Sequence, residues 1–71
     1  MTGTLTAKQE RFCQEYLVDL NATHAAARAG YSVRTAKQAG AENLSKPVLM
    51  ARIEQLKAER LERIQFDADY V

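Results

Sequence analysis

The sequence has only one cysteine, Cys13, so no internal disulfide can staple the fold and the chain reads as built for a reducing cytosol. It also has only one histidine, His24, and no cysteine or carboxylate stands at ligand spacing from it, which argues against a zinc site. No glycine-rich phosphate loop occurs, and no apolar run approaches the roughly 20 residues of a membrane span. The start lacks a secretory pattern, so a soluble, intracellular protein is expected. A surplus of one charge is missing too. Ten basic and nine acidic side chains leave a net charge of +1, and composition alone does not announce a nucleic-acid binder. A length of 71 residues leaves room for one core and little for a catalytic cleft. No enzyme, metal site or cofactor is expected.

What is present is helical and unevenly charged. Residues 1–53 hold seven Lys/Arg against four acids, a balance of +3, whereas residues 54–71 carry −2. Thr6 and Gln9 have capping-box spacing, which starts a first helix near Ala7. Phe12, Cys13, Tyr16, Leu17 and Leu20 then recur at helical intervals on one face, and on that stripe Cys13 reads as a small core side chain. Asn21 is a good cap for a short second helix, Ala22 to Ala29, whose alanines favour helix but add almost no volume. Gly30 permits the positive φ of a sharp turn, with Tyr31 plugging the corner. Ser32 is the expected cap of a third helix from about Val33 to Leu44, and Gly40 within it points to a close packing contact. Ser45 as cap and Pro47 in the first turn open a fourth helix whose apolar stripe of Val48, Leu49, Ile53 and Leu56 drifts off beyond residue 56. The expected class is all-α: a four-helix domain with Phe12, Tyr16, Leu17, Leu20, Ala26, Ala29, Tyr31, Ala36, Leu44 and Ile53 buried.

The short alanine helix, glycine turn and third helix form a helix-turn-helix constellation. Such a motif needs a tiny side chain where its two helices cross, and Ala26, four residues before Gly30, meets that need. Apolar positions should recur at Ala25, Ala29, Tyr31, Ala36 and Ala39. The remaining face of the third helix presents Arg34, Thr35, Lys37 and Gln38. Arginine can bond guanine edges and glutamine adenine, while Lys37 and Lys46 suit phosphates, which add affinity without sequence information. Thr23 and His24 begin the helix that crosses the backbone, and complete the candidate DNA-binding set. A solvated helix face is the plain alternative for any such cluster taken alone. Glu54, Glu59 and Glu62 alternate with Lys57, Arg60 and Arg63 in the manner of an ion-paired surface.

The run Leu5-Thr6-Ala7-Lys8-Gln9-Glu10-Arg11-Phe12, then Tyr16-Leu17, Asn21-Ala22-Thr23, Ala25-Ala26, Arg28-Ala29-Gly30-Tyr31-Ser32, Thr35-Ala36, Asn43-Leu44 and Pro47-Val48, resembles the opening of phage terminase small subunits. The similarity spans about residues 5 to 56, and residues 21–32 are its most specific part. The resemblance implies a non-catalytic domain that binds the packaging site on double-stranded viral DNA, in the cytoplasm of an infected or lysogenic bacterial host. It further implies, for the full-length protein, a homo-oligomeric ring and a terminase large subunit as partner, with the large subunit holding the ATPase and nuclease. On this reading residues 1–53 are the DNA-binding domain and 54–71 a helical extension toward an oligomerisation domain outside this chain, which by itself is expected to be monomeric. Another helix-turn-helix protein, such as a repressor or transposase arm, has the same local physics. A helical protein-interaction module, by contrast, predicts no salt-sensitive DNA binding.

Overall fold

The computed structural model describes the backbone of residues 5–70 and the side chains of residues 5–61. Four helices succeed one another: α1 (Ala7–Asp19), α2 (Ala22–Ala29), α3 (Ala36–Leu44) and α4 (Pro47–Tyr70). Local chemistry sets most of their ends. Thr6 Oγ1 accepts the Gln9 N–H and the Gln9 side chain accepts the Thr6 N–H, each at 3.0 Å, which completes the capping box. Asn21 Oδ1 accepts the His24 N–H at 3.0 Å and starts α2. At its other end Gly30 takes φ +109°, and the N–H groups of Tyr31 and Gly30 reach back to the Ala26 and Ala27 carbonyls, the bond pair of a Schellman motif.

Two ends depart from the sequence expectation. Ser32 does not cap a helix from Val33. Its Oγ accepts the Arg34 N–H at 3.2 Å and its carbonyl accepts the Thr35 N–H at 3.0 Å, so residues 33–35 form a turn and α3 starts at Ala36. A short polar side chain that bonds its own neighbours competes with helix here. Ser45 likewise closes α3 rather than opening α4, donating its hydroxyl to the Glu42 carbonyl at 2.6 Å, while Pro47 occupies the first position of α4.

The core is Phe12, Cys13, Ala25, Ala26, Ala36, Leu49 and Ile53. Tyr16, Leu17, Ala29, Tyr31 and Leu44 are half-buried against it. Leu20 is a correction, with 61% of its surface exposed. Helix α1 ends at Asp19, and Leu20 turns into the left-handed region at φ 57° so that the chain can reverse, which swings its side chain off the stripe. Helix α3 packs mainly on α2, and α1 packs on both α2 and α4. A close approach lies between Ala22 and Gly40. A Cβ on Gly40 would stand 2.7 Å from the Ala22 carbonyl oxygen, so only glycine admits this crossing. Ala26 is fully buried as expected, and Ala22 is what a side chain at position 40 of α3 would meet.

Arg52 joins α4 to α1 by donating from Nε and Nη2 to Glu10 at 2.9 and 2.8 Å. Contact between the two helices continues past residue 53, through half-buried Leu56 to Arg60, which donates to the Leu17 carbonyl at 3.1 Å. Leu61 is exposed, whereas the side chains of Ile64, Phe66 and Tyr70 lie outside the described residues. Among the described residues no helix is long and apolar enough to cross a membrane.

Candidate nucleic-acid interface

Helix α3 divides its residues cleanly. Ala36, Gly40 and Asn43 are buried and Ala39 is half-buried, while Lys37, Gln38, Ala41 and Glu42 are exposed. Three- and four-residue spacing of the small inward positions lets α3 lie flat on α2 and frees the opposite face. Arg34 and Thr35 are also exposed, but they belong to the turn ahead of α3 and not to its first helical turn. Lys46 is exposed at the joint between α3 and α4. It lies nine residues beyond Lys37, on the order of 13 Å along a helix axis, so the two lysines mark opposite ends of the element. Glu42 adds an acid to the far part of the outward face and concentrates positive charge at the end that carries Arg34 and Lys37.

The two residues expected from α2 sit less favourably. Thr23 is half-buried. His24 is exposed, but its Nδ1 stands 3.7 Å from Asp19 Oδ2, which turns it toward the corner between α1 and α2.

That corner is where other cations are neutralised. Arg28 donates to Glu15 Oε1 at 2.7 Å, to the Glu15 carbonyl at 3.0 Å and to Asp19 Oδ1 at 3.2 Å, and Arg11 donates to Glu15 at 3.2 Å. The Arg28 guanidinium holds both carboxyls below the usual carboxylate range, with Arg11 assisting at Glu15. Arg52 does the same to Glu10 from α4. Lys57 pairs with Glu54 at 3.6 Å. Among the described residues, Arg34, Lys37 and Lys46 are the cations whose side chains make no ion pair, hydrogen bond or ring contact.

Reasoning from the sequence alone missed Lys8. Its ammonium lies 4.8 Å from the centre of the Tyr31 ring, which brings a cation of α1 to the turn between α2 and α3. Twenty-three residues separate the two in the chain, and no local pattern carries that signal. Cys13 is buried beneath Leu49, with its Sγ 3.8 Å from the Leu49 carbonyl oxygen, and burial pushes its thiol up to about 11. A thiol so protonated and enclosed is a packing group and not a nucleophile.

Residues 5–71 match the family model described as terminase small subunit. The chain is 57% identical over 51 residues to the terminase small subunit of Bacillus phage SF6, an overlap that covers 70% of this chain and 35% of that protein. To the terminase small subunit of Bacillus phage SPP1 it is 48% identical over 58 residues, covering 80% of this chain and 40% of the relative. The overlap thus spans between a third and two-fifths of the length of these relatives.

Proposed function

The chain belongs to the terminase small subunit family, and we propose that it is the DNA-reading part of such a subunit, acting in phage DNA packaging without catalysing a reaction. Helix α3 and the turn before it enter the major groove, with Arg34, Thr35 and Gln38 toward base edges and Lys37 and Lys46 on phosphates. Thr23 and His24 lie toward the backbone that α2 crosses. Residues 1–53 form the reading unit and 54–71 the start of a helical extension. In the full-length protein, in the cytoplasm of a bacterial host, a homo-oligomeric ring presents several copies to double-stranded DNA and hands it to the large subunit.

One observation carries this reading: the cations whose side chains make no ion pair, hydrogen bond or ring contact among the described residues all belong to α3 and its two flanks. An ordinary solvated surface distributes its ion pairs without regard to one element. Family membership also sets the packaging role ahead of a repressor or a transposase arm.

The test is a titration of packaging-site and scrambled duplexes at two salt concentrations, with the parent and with a variant carrying Arg34→Ala, Lys37→Ala and Lys46→Ala. The parent binds more weakly as salt rises, with the logarithmic slope growing by about 0.9 for each phosphate neutralised. The triple variant loses most of that slope and keeps the parental melting temperature. Unchanged binding by the triple variant removes α3 as the reading element and favours a protein-interaction module.

A further inference from the structure

The most exposed large apolar side chain among the described residues is Val33, which leaves 84% of its surface open in the turn ahead of α3. Single exposed apolar residues are common on protein surfaces and by themselves mean little. Val33 differs in how firmly its backbone is held and in the residues beside it. Ser32 ties the turn together through its carbonyl, which accepts from the Thr35 N–H and hydroxyl, and through its Oγ, which accepts the Arg34 N–H. The Val33 carbonyl itself accepts the Ala36 N–H at 3.4 Å. The backbone on either side is therefore set, and β-branching restricts the side chain to few rotamers. Directly after Val33 come exposed Arg34 and Thr35, and Arg34 is one of the cations left unpaired.

An isopropyl group has no donor or acceptor, so it contributes nothing to reading guanine, cytosine or adenine by hydrogen bonds. Thymine is the one base whose major-groove edge carries an apolar group, its C5 methyl. We infer that Val33 is a specificity residue that packs its γ-methyls against a thymine C5 methyl, next to the site met by Arg34. This rests on the proposal that α3 reads DNA and adds to it the identity of one base.

Random-sequence duplexes enriched on the full chain supply the probe. Each thymine in turn is replaced by deoxyuridine, which deletes the methyl and leaves every hydrogen-bonding group in place. Deoxyuridine at one position, or at its symmetric copies, lowers the parent's affinity about fourfold, the value of one buried methyl. Val33→Ala binds the thymine duplex more weakly by a similar factor and no longer distinguishes thymine from deoxyuridine there. Its salt slope is unchanged because no phosphate contact is lost. Val33→Thr, which keeps one γ-methyl, retains part of the preference. The inference is overturned if no thymine is sensitive, which leaves Val33 as a surface for a protein partner. It is equally overturned if Val33→Ala stays as sensitive as the parent, which assigns the methyl to another side chain. Failure of DNA reading looks different from either: the parent then enriches no duplex at all.

Discussion

At the corner between α1 and α2, Arg11 and Arg28 are tied to Glu15 and Asp19, whereas around α3 the side chains of Arg34, Lys37 and Lys46 are tied to nothing among the described residues. A near-neutral chain becomes two unlike surfaces by this means. Acids cancel the cations of one region at close range and leave those of the other to face solvent. Net charge is a sum over the chain, but a polyanion responds to the local field within roughly a Debye length of about 10 Å at 0.1 M salt. A balance of +1 is therefore compatible with a positive reading face.

The strongest way to break the comparison is to remove the platform on which it stands. Gly40→Ala should lower stability by about 1–3 kcal/mol or more, because the added methyl meets the Ala22 backbone and has no side chain to push aside. The better helix propensity of alanine returns at most about 1 kcal/mol. A drop in melting temperature of roughly 10 °C is expected for a domain of this size. A melt like the parent's would show that α3 crosses α2 elsewhere.

Next in size is the contrast between two arginines. Arg34→Ala should weaken packaging-site binding by about 1–3 kcal/mol, flatten the preference over scrambled DNA and leave the melting temperature alone. Arg28→Ala should do the reverse, loosening the corner that holds α1 to α2 while sparing DNA affinity. Equal losses of DNA affinity in the two variants would erase the distinction between the regions.

Lys46→Ala should have a smaller and less selective effect. All duplexes are expected to bind more weakly by similar factors, and the salt slope should fall by about one. A loss confined to one sequence would move Lys46 from the phosphates to a base.

Acid should produce the mildest separation. The carboxyls of Glu10, Glu15 and Asp19 are lowered in the folded state by their arginine partners. Their stabilisation is thus complete above the unfolded values of about 3.9 to 4.3 and is lost as the pH falls through the lowered folded values. Helical circular dichroism should hold to about pH 4 and decline below it. Glu10→Gln should reduce that decline, at a loss near neutral pH of about 1 kcal/mol for the partly exposed pair with Arg52. Any fall in DNA binding over this range should track the fold. DNA binding that declines while the helices persist would assign a titrating group to the interface.

The start of α1 and both ends of α2 were legible in the sequence because a cap bonds residues three to five apart: Thr6 with Gln9, Asn21 with His24, Tyr31 with Ala26. The start of α3 was less so. Ser32 can accept from the backbone either as a helix cap or within a turn, and both uses demand the same residue. Placing Arg34 in the turn instead of the first helical turn reflects that ambiguity. Leu20 fitted the apolar stripe by count and left it because the chain had to reverse immediately afterwards.

The sequence by itself determined the all-α class, the small-residue helix before the glycine turn, and which side chains could form a basic face. Each of these depends on residues that meet within a turn or two of helix. Only the tertiary structure decided that Gly40 receives Ala22, that Lys8 reaches Tyr31, and that Arg28 is paired while Arg34 is not. Those contacts join residues 9 to 23 positions apart, and whether they form depends on how the helices cross.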